Sequence, residues 1–430
     1  MAGEAQQSDR TFTIDRLGRR ELCALGREWL LHGHLQDRIG MPLVLEHVDR
    51  ETMQQVAIDE WMAASPVYAP RVRRALGFGG TGVDVIFKNM QLDIGAPHQF
   101  LDFRYRLHDA AKGEFFLASC GALLDVEPMG EDFVRGMCHT IEDPTFDATA
   151  GAVNPHAKVR PVHRPPRVPA DRWPHCRWSV FVDDHGPPAC PHPNLPLVQA
   201  SLAAGVTLPA PPPVQGAEPG GRPDYGGPFD PGFEFEDLSH TALRVALGEV
   251  AIQSHLLFRS FLIAVEQRLG ADVARSFTPR MLAGLGALTS GRLRRALRIG
   301  GGVGGVARLL RVHPMLAPTG YADIACERLA PDRLRFALRE CPLTAEPDGR
   351  TWLAPLEDER HGPAAFGALV RGGEPRARVR HTAVRAGERV AFEVTVEPGA
   401  EPVPEPPEVG LARLSTGADF RFRTRRPLRG

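Results

Sequence analysis

The spacing of apolar positions changes character within each half of the chain. In "RRELCALGREWLLHGHLQDRIG" (19–40) apolar residues recur three and four apart and the run stops on glycine, which predicts a helix with one buried stripe. "AIDEWMAASPVYAPRVRRALGFGG" (57–80) keeps the helical spacing, is interrupted by proline and also ends on glycine. After residue 98 the pattern shifts. "HQFLDFRYRLHD", "GEFFLASCGALLDV" and "RWSVFVDD" are short runs of aromatic and branched residues bounded by turn formers, which predicts strands. Helices first and strands after predict an α+β fold, with helices on one face of a mainly antiparallel sheet.

The same order then repeats. "RVRRALGFGG" (71–80) recurs as "RLRRALRIGG" (292–301), a shift of 292 − 71 = 221. At that shift Glu28 falls on Glu249, His34 on His255, Arg38 on Arg259, Phe115 on Phe336 and Cys120 on Cys341. One shift held over roughly ninety residues is the mark of an internal duplication. The expected organisation is a first α+β repeat over 15–182, a Pro/Gly-rich linker over 183–238, a second and degenerate repeat over 239–397, and a Pro-rich tail over 398–430. The linker stretch "LPAPPPVQGAEPGGRPDYGGPFDPG" is too poor in apolar residues to form a core of its own. The two halves are expected to pack as a pseudo-two-fold pair.

Charge and composition narrow the class. The net charge is −1 and the arginines are scattered, so no basic field recruits nucleic acid or anionic lipid. The polar start lacks a signal-peptide core, and "HLLFRSFLIAV" is too short to span a bilayer. Seven widely spaced cysteines do not form a disulfide framework. A cytoplasmic protein with a small-molecule partner, and no nucleic-acid or membrane partner, is expected.

Candidate chemistry lies where the copies differ. "GMCHTIEDPTFD" (136–147) pairs Cys138 with His139 and adds Glu142 and Asp143; its counterpart in the second copy, "APLEDERHGPAAF", has neither Cys nor His at the aligned positions. His98 aligns with Thr319 and Cys176 with Val390. In the functional reading Cys138 is a nucleophile or ligand, with His139 or His34 as base, since a thiolate needs a neighbouring cation or base. Glu28 joins this catalytic set, and it and Arg38, four residues after His34 on the same helix face, orient the groups or bind a substrate carboxylate; Arg38, His98 and Cys120 are the substrate-binding candidates. Cys138, His139 and Cys176 offer a soft donor set for a divalent metal such as zinc, although no zinc spacing is present; absence of any cofactor is the other expectation. The structural readings are a His–Arg network that anchors the shared fold, inert buried cysteines, and a solvated loop in which Asp143-Pro144 starts a turn.

The run "SHLLFRSFLIAVEQRLGADVA" (254–274) and the closing strand "HCRWSVFV" (175–182) resemble bacterial proteins grouped near the L-2-amino-thiazoline-4-carboxylic acid hydrolases. That resemblance implies a hydrolase opening a C–N or C–S bond in a small sulfur heterocycle, with Cys138 and Cys176 as its candidate residues. Relatives with a four-vinyl-reductase-like fold imply a non-catalytic small-molecule or metal-binding module instead. The chain departs from both by being duplicated.

Overall fold

The computed structural model describes residues 13–214 and 219–423. The first repeat runs α1 (Arg19–Leu45), α2 (Arg50–Ala75), α3 (Val83–Met90), β1 (Leu101–Leu107), β2 (Lys112–Cys120), α4 (Gly121–Val126), α5 (Glu142–Gly151), β3 (Ala157–His163) and β4 (Cys176–Val182). The second runs α6 (His240–Leu269), α7 (Ala271–Ala296), α8 (Gly302–Arg311), β5 (Ile324–Ala330), β6 (Arg333–Arg339), α9 (Gly362–Gly373), β7 (Ala377–His381) and β8 (Glu388–Val396). The tail adds α10 (Pro407–Ala412). Both sheets are antiparallel with the same order, β1-β2-β4-β3 and β5-β6-β8-β7. The α+β duplication is therefore present as architecture: α1 and α6 start 221 residues apart, and α2 and α7 start and end 221 apart.

Local chemistry sets the boundaries. Asp49 caps α2 by accepting from the Thr52 backbone N–H at 2.8 Å, and Ser239 caps α6 through Ala242 at 3.2 Å. Gly270 ends α6 at φ +93°, a left-handed value that glycine adopts without strain. Two sequence expectations change. α2 runs unbroken through Pro66 and Pro70, because packing along α6 outweighs the lost hydrogen bonds. "GALLDV" leaves the sheet as α4, since the Cys120 sulfur accepts from the Leu123 N–H at 3.4 Å and starts a helix there.

The four long helices of the two repeats pack on one another, and one apolar core runs through both repeats. Each sheet is covered by a short helix docked through one phenylalanine. Phe146 of α5 lies 4.9 Å from the Trp178 ring and 5.1 Å from Phe115; Phe366 of α9 lies 4.4 Å from Phe336 and 4.8 Å from Phe392. Burying such a ring contributes roughly 1.5–3 kcal/mol.

The interface between the repeats is reciprocal. Arg71 of α2 forks onto Glu249 of α6 at 3.0 and 3.2 Å; Arg292 of α7 forks onto Glu28 of α1 at 2.7 and 3.1 Å. The two pairs are related by the 221 shift at both ends, as expected for an isologous contact. Each arginine also holds the segment that follows its own repeat. Arg71 donates to the carbonyls of Ala204 and Val206, and Arg292 to those of Gly417, Ala418 and Phe420. A carboxylate from the other repeat grips the same segments: Glu346 accepts from the Leu202 and Ala203 N–H groups, and Asp125 from Ser415 and Thr416. Ser201 and Ser415, Ala204 and Ala418, and Val206 and Phe420 each stand 214 apart, so both repeats carry an equivalent strap.

The linker also docks its aromatics. Tyr225, Phe233 and Phe235 are fully buried, and the Lys88 ammonium donates to the Tyr225 carbonyl at 3.0 Å. No helix of the described residues is long and apolar enough to cross a membrane.

Candidate functional site

A cavity of about 230 Å³ opens in the first repeat between α1, α2, the sheet and the tail strap. Its wall is mostly apolar, with Met41, Met53, Met90, Phe103 and Phe146 among the lining side chains and Leu411 and Leu414 contributed by the tail. Its polar groups are few and convergent: His34, Asp37 and Arg38 from α1, Asp93, Asp125 and Glu142. That composition is typical of small-molecule sites.

The stretch 136–147 forms one wall, and it is helical, neither loop nor strand. Gly136–Ile141 is a π-helical turn that runs into α5. Wide turns of this kind often mark functional sites. Met137, Ile141 and Glu142 from this turn and the start of α5 all line the cavity. Gly136 lets the turn approach α2 closely: a Cβ there would lie 2.3 Å from the Gln54 amide nitrogen, so that side chain would have to move.

Behind this wall a smaller chamber of about 50 Å³ brings Cys120, Cys138 and Cys176 together with His175 and Glu142. The three cysteines of the sequence reading do converge. Burial pushes all three thiols upward, Cys176 to about 12 and the other two further, so none is a thiolate near neutral pH. Among the described residues no group of three or more His, Cys, Asp or Glu side chains could hold a metal ion.

Other sequence candidates lie elsewhere. Glu28 is buried in the inter-repeat fork with Arg292, and burial pushes its carboxyl up despite that partner. His98 contacts the Gln91 carbonyl at 2.7 Å and lies against Phe235 of the linker, outside the cavity wall. His139 contacts the Pro165 carbonyl at 2.7 Å and lines neither chamber. His34 and Arg38 do line the cavity, as a pair. Arg38 donates through Nε to His34 Nε2 at 3.2 Å and lies 3.4 Å from Asp125 Oδ2. Burial, with Arg38 beside it, lowers His34 to about 4, so the imidazole is neutral. Asp125, although partly buried, is held well below the usual carboxylate range by His34, Arg38 and the strap hydroxyls.

The second repeat shows what is special about Arg38. Its counterpart Arg259 is engaged at all three nitrogens, with Asp348 at 2.8 and 2.5 Å and the Leu197 carbonyl at 3.3 Å. At the 221 shift that relates Asp125 to Glu346, Asp348 corresponds to Glu127, which pairs with Arg167 at 2.7 Å and not with Arg38. The Nη atoms of Arg38 therefore make no hydrogen bond among the described residues, and this end of the side chain faces the cavity. The second repeat places buried rings at this position. Trp352 stacks at 3.6 Å on Phe258, and Phe258 occupies the position of Asp37.

Three acids of the wall, Glu142, which the sequence reading noted without giving it a role, and Asp37 and Asp93, which it did not select, are joined by Glu60 behind them. Burial pushes Glu142 up to about 8, with Asp143 adding to it and Arg38 opposing, so it is largely protonated at neutral pH. Burial raises Asp37 and Asp93 to about 6 each. Glu60, fully buried, is pushed well above its ordinary range, first by burial and then by the charge of Asp37. Asp37 also accepts from the Trp61 indole N–H at 3.1 Å. The duplication held the signal: Asp37, Glu60 and Asp93 align with Phe258, Met281 and Pro314. Comparison of the chain with protein-family profiles, curated proteins and solved structures found no match.

Proposed function

We propose that the first repeat binds a small, largely apolar organic acid, and that the second repeat is its scaffold. One observation carries this reading: Arg38 presents an unused guanidinium fork to an apolar cavity, whereas its counterpart Arg259 is closed by Asp348. A guanidinium fork matches a carboxylate in plane and bond spacing. Protonated Glu142 supplies a hydrogen-bond donor to the same ligand, and the methionine-rich wall adapts to its apolar part. Calorimetric titration with 3-phenylpropionate and octanoate tests the reading. Arg38→Met is expected to weaken binding by roughly 10–100-fold, the range for one charge-assisted pair. Equal affinity in wild type and variant refutes it.

A hydrolytic reading has a specific support in Glu142, a carboxyl at the junction of both chambers whose raised pKa suits general acid–base work. In that reading Glu142, not Cys138, moves the proton when a C–N or C–S bond of the bound molecule is opened by water. Incubation with cyclic amides and thiazolines tests it. Turnover that survives Glu142→Gln removes it.

A further inference from the structure

The acidic end of the same cavity has fewer cations than carboxylates. Asp37 and Asp93 stand at opposite ends of the Trp61 ring. Asp37 takes the indole N–H at 3.1 Å, while the six-membered ring abuts Gly95, where an added Cβ would lie 2.9 Å from Trp61 Cζ3. Asp93 Oδ1 accepts from the Gly95 N–H at 2.8 Å and from the Tyr68 hydroxyl at 3.0 Å. Asp93 Oδ2 has no partner, although the residue is only 5 % exposed. A buried acceptor without a donor is costly. Arg38 is the cation that acts on Asp37, and it is shared with Asp125; no cation contributes to the environment of Asp93. Both carboxyls titrate near 6 and are therefore largely ionised at neutral pH.

The fold common to both repeats does not depend on these acids. The second repeat builds the same helices with Phe258, Leu282 and Pro314 at the positions of Asp37, Trp61 and Asp93. The acids and the indole occur together only in the copy that holds this cavity.

We propose that the occupant of this cavity also carries an ammonium group, seated at the Trp61 ring between the carboxylates of Asp37 and Asp93. An aromatic face flanked by carboxylates is a good receptor for an organic cation. Asp37 and Arg38 line the same cavity and Arg38 acts on the Asp37 carboxylate, so the ligand's ammonium and carboxylate lie close together. The class is a compact zwitterion with an apolar remainder, such as an amino acid with a large apolar side chain. This inference rests on the organic-acid reading of Arg38.

Three probes separate the two ideas: L-phenylalanine, 3-phenylpropionate, which lacks the amine, and phenethylamine, which lacks the carboxylate. Calorimetry on the full chain at pH 7.5 is expected to show L-phenylalanine binding at least tenfold tighter than 3-phenylpropionate. In Asp93→Asn that ratio falls to near one; Asp37→Asn gives a second measurement should the first variant not fold. A ratio near one in the wild type, or a ratio that persists in both variants, overturns the ammonium site and leaves the organic-acid reading standing. Binding of phenethylamine but not 3-phenylpropionate overturns the Arg38 reading and supports the ammonium site. Binding of none of the three overturns both.

Discussion

Replacing Arg292 with methionine removes the most heavily used side chain at the repeat interface. All five of its N–H donors are engaged, two on Glu28 and three on strap carbonyls between 2.7 and 3.1 Å. Removing one partner of a buried pair leaves the other charge uncompensated, which costs about 3–5 kcal/mol. Part of that loss is pH-dependent, and its sign follows from Glu28. Burial already pushes this carboxyl above its model-compound value of 4.5, and without Arg292 it rises further. The folded variant then holds a proton that the unfolded chain releases, so its stability falls as pH rises above about 4.5. Urea denaturation followed by circular dichroism is expected to show a smaller deficit at pH 5 than at pH 8. Limited proteolysis is expected to cut the freed strap between 413 and 423 in the variant alone. Arg71→Met, the pseudo-symmetric change, should cost a similar amount and free the linker strap instead. Glu28→Met with Arg292→Met should recover much of the loss, because no charge is then left unpaired. A deficit under about 1 kcal/mol, or a double variant no more stable than the single one, refutes the reasoning.

Three further outcomes are expected. Glu142→Gln should flatten the pH dependence of stability between about 4.5 and 8, because a carboxyl whose folded pKa is raised loses stability as pH climbs through that window; the wild type is expected to fall by roughly 2–4 kcal/mol relative to the variant, read by thermal melts from pH 5 to 9. Gly372→Ala should destabilise by about 1–3 kcal/mol in the same assay, because its Cβ would meet the Ala287 carbonyl oxygen at 1.9 Å where α9 crosses α7. Iodoacetamide at pH 8 should label exposed Cys190 well before Cys120, Cys138 or Cys176, as mass spectrometry of the peptides would show; early labelling of Cys138 would restore it as a nucleophile.

The duplication and the α+β order were legible because both rest on periodicity, which survives divergence in the surface residues. The straps were not. Neither segment carries a periodic pattern, and it is the carbonyls gripped by Arg71 and Arg292, with the groups held by Glu346 and Asp125, that show 201–206 and 415–420 to be the same element. At the site, His34 and Arg38 were found because both copies keep them and the spacing fixes one helix face. Cys138 and His139 drew attention as reactive types, yet reactivity depends on burial, which their position in sequence does not encode. Glu142 lay in the same stretch and was passed over because an acid in a polar run looks solvated. Asp37 and Asp93 were visible only as acids standing where the other copy has Phe258 and Pro314, a contrast that gains meaning once the cavity is seen.

The central claim is that Arg38 is an open anion receptor because Glu127, at the position of the aspartate that closes its counterpart, is held by Arg167 instead. Met129→Asp places a competing carboxylate on the wall of the cavity that Arg38 lines. Calorimetric titration of 3-phenylpropionate into wild type and variant, with thermal melts alongside, tests the claim directly. Binding is expected in the wild type and a loss of at least tenfold in the variant, with the melting temperature equal or higher. Undiminished binding to a folded Met129→Asp variant would contradict the account.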